Sequence, residues 1–331
     1  MSLLEIKHLH TNFKTKKGIV RAVNDVSYSL EAGKTLGIVG ESGSGKSVSA
    51  MSIIRLLDGN GYIESGEIYF DGKDIRKCTD KEMYHIRGNE ISVIFQEPMT
   101  SLNPVFTIEK QIGEVFMNHQ GMKKKEAYAA AVEMLREVKI PNPETVAKQY
   151  PFQLSGGMRQ RVMIAMALAC EPDILIADEP TTALDVTIQA QILELMQKLQ
   201  KKLGMAIIMV THDLGVIADM CDEIIVMYGG RVCERGTAED IFYRPHHEYT
   251  KGLLRSIPNV DRIGEKLVPI PGTPINLLNM PKGCAFCPRC ENAMKICIEQ
   301  QPPEMQMPDG HFASCWLNVK AQMEAEKGGR A

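Results

Sequence analysis

The sequence lacks any long hydrophobic run, since its longest uninterrupted apolar stretch covers only residues 162–170. A membrane-spanning helix needs about 20 consecutive apolar residues, so we expect no membrane span in this chain. Residues 1–5 also lack the basic start and apolar centre of a signal peptide. These absences predict a cytosolic chain, whose membrane role, if it has one, comes through partner chains.

The chain has no excess of charge of one sign either, because 38 basic and 41 acidic residues give a net charge of −3. Without a basic excess, nothing in the composition indicates a nucleic-acid partner. A length of 331 residues with 44% hydrophobic residues predicts ordinary globular protein, as two domains or as one large domain with an appendage. In a cytosolic setting the nine cysteines favour thiols or metal ligands over disulfides.

The order of apolar patterns predicts an α/β fold. Residues 1–33 and 62–75 alternate as antiparallel strands do, the second pair turning at Asp71-Gly72, and residues 229–230 turn a last hairpin. Between them, short apolar strands at residues 35–39, 91–95, 174–177 and 206–210 alternate with helical patterns, which indicates a parallel sheet covered by helices. One such pattern runs from Val48 to a stop at Asp58-Gly59, and residues 105–148 read as an inserted helical subdomain.

The composition changes near residue 236, where proline becomes frequent, and five of the nine cysteines fall between residues 284 and 315. We therefore expect one large domain over residues 1–235, with a helical subdomain at about 97–165. A small cysteine-rich C-terminal module would cover residues 236–331.

A glycine-rich loop follows the strand at residues 35–39 and opens a helix, the context that supports a phosphate-binding G-x-x-x-x-G-K-S motif. Its backbone N–H groups would hold the β-phosphate, Lys46 would bridge the β- and γ-phosphates, and Ser47 would bind Mg²⁺. The nucleotide-binding residues of this loop are Gly40, Ser42, Gly43, Ser44, Gly45, Lys46 and Ser47.

Two carboxylates end the apolar strand at residues 174–177. Asp178 suits a second-sphere position at Mg²⁺, and Glu179, one residue further out, could polarise an attacking water. The alternative is that the pair only caps the next turn.

Three further residues sit where a ligand could be reached. Gln96 and His212 each follow a predicted strand, at the edge where open α/β sheets bind ligands. Gln96 could help to hold Mg²⁺ or the attacking water, and His212 could contact the γ-phosphate. An ordinary surface histidine is the alternative for His212. Phe13 could stack on adenine, or could fill the core or a turn.

The octet at residues 154–161, Leu-Ser-Gly-Gly-Met-Arg-Gln-Arg, reads as the start of a helix. Ser155 is a good N-cap, and Gly156 and Gly157 let a ligand approach the exposed N–H groups closely. This positive helix end would bind an anion, most naturally a terminal phosphate. An ordinary capped helix is the alternative.

Together these motifs resemble the ATP-binding subunits of ABC transporters, over nearly the whole chain. The resemblance identifies Gly40–Ser47 with Walker A, Asp178 and Glu179 with the Walker B acid and catalytic glutamate, and residues 154–160 with the family signature. Gln96, His212 and Phe13 match the Q-loop glutamine, the switch histidine and the adenine-stacking aromatic, and Ala183-Leu184-Asp185 matches the D-loop. The resemblance implies a P-loop NTPase core of the RecA type with an antiparallel β subdomain, Mg²⁺ held by Ser47, Gln96 and Asp178, and ATP hydrolysis.

More narrowly, residues 37–47, 97–104 and 177–187 resemble the oligopeptide/dipeptide permease subfamily. Residues 245–250 resemble its Pro-x-His-Pro-Tyr-Thr box, with Glu248 in place of proline. This implies an importer of short peptides, with nickel or another solute as the alternative substrate. A soluble ABC ATPase is disfavoured by the single cassette, and a P-loop kinase by the signature.

The resemblance also implies partners. Ser155, Gly156 and Gly157 would contact the ATP held by a second ATPase subunit, more often a paralogue than a copy, in a head-to-tail dimer. Two transmembrane permease subunits and, indirectly, an extracellular or periplasmic peptide-binding protein would complete the system, placing the chain at the cytoplasmic face of the membrane.

The C-terminal cysteines are spaced Cys284-x-x-Cys287-x-x-Cys290, followed by Cys297 and Cys315. The spacing leaves a [4Fe–4S] cluster, a structural Zn²⁺ site and free thiols open. The resemblance favours a cluster on Cys284, Cys290, Cys297 and Cys315, with Cys287 as the spare or substitute. Its distance in sequence from the nucleotide motifs predicts a structural role, as a staple for a module with little core.

Overall fold

The computed structural model describes residues 2–182, 184–256 and 269–328. The chain forms two compact units. The first, called the helical unit, comprises Leu30–Thr35 and Asp74–Val210 with the N-terminal residues up to Leu3. The second, called the phosphate-loop unit, comprises Leu4–Ser29, Leu36–Lys73 and the residues from Thr211 onwards.

The helical unit contains three parallel strands in the order β8-β7-β6. Residues Ile91–Ile94 form β6, Ile174–Asp178 form β7 and Ala206–Thr211 form β8. The last two are buried along their whole length, as expected of strands covered on both faces. The register pairs Ile94 with Ala177 and Asp178 with Val210, so the carboxyl ends of the strands lie at one edge.

The described part of the helical unit contains seven α-helices. The longest is α8, which Asp185 caps at its N-terminus and Gly204 ends in the left-handed conformation, with a φ of 69°. The insert predicted at residues 105–148 is helical, and consists of α4, α5 and α6. The seven helices are α2 (Asp80–Ile86), α3 (Pro98–Ser101), α4 (Ile108–Gln120), α5 (Lys124–Glu137), α6 (Pro143–Ala147), α7 (Gly156–Leu168) and α8 (Val186–Leu203).

The phosphate-loop unit contains an antiparallel sheet with the strand order β2-β1-β4-β5. The strands are β1 (Ser2–Thr15), β2 (Gly18–Glu31), β4 (Gly61–Phe70) and β5 (Lys73–Asp74). The predicted turn at Asp71-Gly72 joins β4 to β5, with positive φ angles of 46° and 75° at the two residues. These angles are those of the type I′ turn that suits a twisted hairpin.

Five further strands of this unit are ordered β11-β12-β10-β9-β3. They are β3 (Thr35–Val39), β9 (Glu223–Tyr228), β10 (Arg231–Thr237), β11 (Met305–Gln306) and β12 (Phe312–Ala313). β3 and β9 are parallel, and β10 turns back from β9 at Gly229-Gly230 as the sequence predicts. β12 pairs with β10 through Glu234 and Arg235, so cysteine-rich sequence extends the sheet of β10.

The helices of the phosphate-loop unit are α1 (Lys46–Ile53), α9 (Leu214–Met220), α10 (Ala238–Tyr243), α11 (Glu248–Arg255), α12 (Lys295–Glu299) and α13 (Trp316–Gly328). The expectation that the first of them reaches Asp58 is wrong, because α1 ends at Ile53. Arg55 takes the left-handed conformation, and the Leu56 N–H donates to the Met51 carbonyl oxygen at 3.0 Å. This is a Schellman closure with arginine where glycine is usual.

Among the described residues, the longest helices are too short or too polar to cross a bilayer. The domain boundary at residue 235 stays a prediction.

Candidate nucleotide-binding site

The phosphate loop leaves the buried strand β3 and enters α1 at Lys46. Gly40, Gly43 and Gly45 all have positive φ angles, of 151°, 76° and 97°. A Cβ atom on Gly40 would lie 2.2 Å from the Met227 carbonyl oxygen, and one on Gly45 would lie 2.3 Å from that of Ala22. Side chains are therefore excluded at both ends of the loop, by conformation and by the close approach of neighbouring backbone.

Lys46 and Ser44 face the inside of this loop. Lys46 is buried, and its Nζ donates to the carbonyl oxygens of Gly40 at 2.7 Å and Glu41 at 3.0 Å. Within the part of the chain that the structure describes, the buried Ser44 Oγ has no hydrogen-bond partner, and a Cβ on Gly43 would meet no atom within 4 Å. A loop with an inward cation, an unsatisfied hydroxyl and open space at Gly43 fits an oxyanion such as a phosphate.

The helical unit brings two of the predicted catalytic residues together. Glu179 follows β7 directly, and its N–H donates to the Val210 carbonyl oxygen at 2.8 Å. Its Oε2 accepts hydrogen bonds from Gln96 Nε2 at 2.8 Å and from Thr182 Oγ1 at 3.0 Å. The backbone of Glu179 is left-handed, with a φ of 47°, which is uncommon for a residue other than glycine and is typical of functional sites.

Asp178 is the last residue of β7 and is buried. Because the Gln96 amide nitrogen points to Glu179, the amide oxygen is left to act as a ligand. A carboxylate and an amide oxygen on neighbouring strand ends are ligands of the kind that Mg²⁺ prefers.

The signature octet forms the N-terminus of α7. Ser155 is the N-cap, and its Oγ accepts a hydrogen bond from the Met158 N–H at 3.4 Å. Ser155 and Gly156 are exposed. A Cβ on Gly157 would lie 2.8 Å from Ile188 Cγ2 on α8, so this glycine is required for helix packing, whereas Gly156 leaves room for a side chain. This geometry is compatible with both interpretations of the octet, an ordinary capped helix and an exposed helix end that binds an anion.

His212 and Phe13 lie in the phosphate-loop unit. His212 is exposed and follows β8, immediately before the α9 N-cap Asp213, whose Oδ1 accepts from the Gly215 N–H. Phe13 pairs with Gly61 across β1 and β4, and a Cβ on that glycine would lie 2.7 Å from Phe13 Cε1. The half-buried ring therefore covers Gly61, and its stacking on adenine stays a prediction. Ala183 of the predicted D-loop lies outside the described residues.

The five C-terminal cysteines all line one small cavity. The Cys284 N–H donates to the Cys297 carbonyl oxygen at 2.8 Å, and the Cys287 and Cys290 N–H groups close successive turns onto Cys284 and Cys287. Burial raises the pKa of Cys284 to about 12 and that of Cys290 to about 11. Burial also raises the pKa of Cys287 and Cys315. A metal bound by these thiols would have to displace their protons, so its affinity would rise with pH.

Comparison with known proteins gives two matching family descriptions. The ABC transporter family matches residues 23–182, and the C-terminal region of oligopeptide/dipeptide transporters matches residues 233–297. The oligopeptide transport ATP-binding protein OppD of Bacillus subtilis is 54% identical over 317 residues, which cover 95% of this chain and 88% of OppD. The dipeptide transport ATP-binding protein DppD of the same organism is 51% identical over 330 residues, covering 99% and 98%.

The chain belongs to the family of peptide-transporter ATP-binding subunits. A solved ABC cassette, described as a dimer in a post-hydrolysis state with ADP and Pi, matches with a TM-score of 0.64. It is 31% identical, and the match covers 71% of this chain and 98% of that cassette. The ABC ATPase fold expected from the sequence is therefore confirmed.

In this ATP-binding subunit, the turn that carries Cys287 and Cys290 contacts the phosphate loop, although the two segments are far apart in sequence. Arg289, between Cys287 and Cys290, forms an ion pair with Glu41 of the phosphate loop. Tyr249 of α11 accepts a hydrogen bond at its hydroxyl from the Glu41 N–H, at 2.8 Å. Sequence reasoning missed these three residues as a group, although a carboxylate within a phosphate-binding loop is itself a signal that a cation is needed nearby.

Proposed function

We propose that this chain is the ATP-hydrolysing subunit of a membrane importer for oligopeptides or dipeptides. The hydrogen bond between Gln96 and Glu179, at the ends of neighbouring parallel strands, carries the proposal of hydrolysis. The proposal of a peptide substrate rests on the match of residues 233–297 to the oligopeptide/dipeptide transporter C-terminal region. Import of nickel or another solute is the alternative.

In the proposed reaction, the N–H groups of the phosphate loop bind the phosphates, and Lys46 neutralises charge on the β- and γ-phosphates. Glu179 accepts a proton from the attacking water, and His212 contacts the γ-phosphate. Ser47, Gln96 and Asp178 would hold Mg²⁺, which supplies positive charge to the phosphate oxygens. Gln96 keeps the Glu179 carboxylate in place through the hydrogen bond at 2.8 Å.

The substitution Glu179→Gln tests this assignment. We expect retained affinity for Mg-ATP, because the side-chain shape is kept, and a fall in turnover of at least 100-fold, because the base is lost. Fluorescent-nucleotide binding and phosphate release measure the two effects. Glu114→Gln, at an exposed position on α4, is the matched control. Near-normal hydrolysis by the Glu179 variant would remove this residue from its role.

A [4Fe–4S] cluster on Cys284, Cys290, Cys297 and Cys315 is proposed for the cysteine cavity, with Zn²⁺ as the alternative. The donor set fits, since four thiols line one cavity. Cys287 is proposed as the spare because the resemblance to the peptide-permease subfamily places the ligands at the other four cysteines.

Iron and sulfide analysis of protein purified without oxygen tests the cluster. We expect about four iron and four sulfide per chain, as the cluster formula requires, and a broad visible absorption that reductant bleaches. Stoichiometric zinc without iron would overturn the cluster and support the zinc alternative.

The remaining assembly is also proposed. The chain would dimerise head to tail with a second ATPase subunit, and Ser155, Gly156 and Gly157 would contact the ATP of that partner. Phe152 and Val186 lie beside this region and are 64% and 83% exposed. Such exposed apolar side chains support the proposal that the second ATPase subunit covers them. Two permease subunits would place the complex at the cytoplasmic face of the membrane, where a peptide-binding protein outside delivers the substrate.

A further inference from the structure

Arg289 makes a two-pronged ion pair with the phosphate loop. Its Nη1 donates to Glu41 Oε2 at 2.5 Å and its Nη2 donates to Glu41 Oε1 at 3.1 Å. The Arg289 side chain is 4% exposed and that of Glu41 is 26% exposed. Two parallel charge-assisted hydrogen bonds that are shielded from water fix both the position and the direction of the Glu41 carboxylate.

The guanidinium itself is held from several sides. Its Nε donates to the Pro271 carbonyl oxygen at 2.8 Å and Nη2 donates to that of Ile270 at 3.3 Å. The group also lies 5.7 Å from the ring centre of Tyr228 and 6.0 Å from that of Phe286. Arg289 is therefore a rigid part of the turn that carries Cys287 and Cys290, and does not sample solvent as a surface arginine would.

Glu41 is held at its main chain as well. Its N–H donates to the Tyr249 hydroxyl at 2.8 Å, and its carbonyl oxygen accepts from Lys46 Nζ at 3.0 Å. An unbroken series of contacts thus leads from the Cys287–Cys290 turn through Arg289 and Glu41 to Lys46, the cation expected to bind phosphate. Each contact lies within the phosphate-loop unit.

Charge gives the ion pair a second consequence. A carboxylate inside a loop that binds a polyanion would repel the ligand, since like charges held at short range in a low-dielectric site raise the free energy. The guanidinium cancels the Glu41 charge where the phosphates would lie nearby.

We propose that Arg289 is a positioning residue of the nucleotide site, which neutralises Glu41, fixes the start of the phosphate loop and makes ATP affinity depend on an intact cysteine turn. The inference rests on the proposed ATPase function. It changes the role of the cysteines from a distant staple to a support of the nucleotide site.

The test measures the affinity of the full-length chain for a fluorescent ATP analogue with Mg²⁺, and for AMP. Arg289→Gln should weaken binding of the ATP analogue at least tenfold, because Glu41 is left unpaired beside the phosphates, and should change AMP binding less than twofold. Adding Glu41→Gln should restore most of the lost affinity, because the repulsion disappears. Arg289→Lys keeps the positive charge but cannot make both hydrogen bonds to Glu41, so its affinity for the ATP analogue should lie between those of the wild type and Arg289→Gln.

Arg235→Gln is the matched control, because Arg235 forms a two-pronged pair with Glu304 elsewhere in the same unit, at 2.9 and 3.2 Å. The proposal is overturned if Arg289→Gln folds and binds the ATP analogue normally, if the double variant is no better than the single, or if Arg235→Gln loses as much affinity. Should Arg289→Gln fail to fold, Tyr249→Phe removes the other support of Glu41, and unchanged ATP affinity there overturns the proposal.

A cysteine variant tests the dependence on the turn. Cys290→Ser should weaken binding of the ATP analogue and leave AMP binding unchanged, whereas unchanged binding of both would remove the cysteine turn from the proposal. If the wild-type chain did not bind the ATP analogue at all, that result would count against the proposed function. Normal binding by both the wild type and Arg289→Gln would instead count only against the role of Arg289.

Discussion

At the scale of single residues, the phosphate-loop glycines were predictable because they obey a local rule. Gly40 and Gly45 combine positive φ angles with backbone contacts closer than any Cβ allows. Arg289 obeys no such rule, since 248 positions separate it from Glu41. Nothing local distinguishes an arginine that forms a buried ion pair from one that stays in solvent, so only the fold identifies it.

The cysteines give a prediction at this scale. Cys290→Ser should lose most of its iron, because the family resemblance places Cys290 among the four ligands, whereas Cys287→Ser, at the proposed spare position, should keep its iron. Iron per chain and visible absorption after anaerobic purification measure the difference. Cys78→Ser, in the helical unit, is the control. Equal loss from the Cys287 and Cys290 variants would contradict the choice of Cys287 as spare.

At the scale of elements, hairpins were predicted correctly where the turn residues demand one conformation. Asp71-Gly72 and Gly229-Gly230 all have positive φ angles, as two-residue hairpin turns require. The end of α1 was predicted wrongly, because the apolar periodicity continues beyond Ile53 while Arg55 takes a conformation that glycine usually provides. The strands β11 and β12, of two residues each, are too short to leave a pattern.

The N-terminus of α7 allows a prediction for a whole element. Gly156→Asp should leave the affinity of this chain for ATP unchanged but reduce hydrolysis by the assembled dimer at least tenfold. Its negative charge would repel the partner's γ-phosphate from a helix end that otherwise favours anions. Binding to the isolated chain and phosphate release by the reconstituted complex measure the two quantities.

Gly156→Ala is the control for that experiment, because among the described residues a Cβ at this position meets Leu184 Cδ2 at 3.6 Å, an ordinary van der Waals contact. It should retain most of the activity. Equal losses in the Ala and Asp variants would indicate that sterics, not charge, act there, and loss of ATP binding by the isolated Asp variant would contradict an action in trans.

At the scale of the whole molecule, the sequence predicted the fold class, the family and the crowding of five cysteines in one region. It did not predict how the cysteine region packs against the rest of the phosphate-loop unit. β12 pairs with β10, while Tyr228, Tyr249 and Phe286 pack their rings with centres 4.7 to 5.3 Å apart. These contacts join segments far apart in sequence, and such pairings depend on the complete fold and not on local pattern.

The assembly follows from what one chain leaves exposed. Ser155 and Gly156 leave the N-terminus of α7 exposed to solvent, and Val186 at the start of α8 is 83% exposed. Isolation of the tagged chain from membranes, with identification of every subunit, should yield two permease chains and a paralogous ATPase in stoichiometric amounts. Val186→Asp should lower recovery of the second ATPase, because a charge at a covered apolar contact is costly, whereas Lys201→Asp at the exposed far end of α8 should not. Recovery of two copies of this chain alone would replace the paralogue by a homodimer, and recovery of no membrane subunit would overturn the importer.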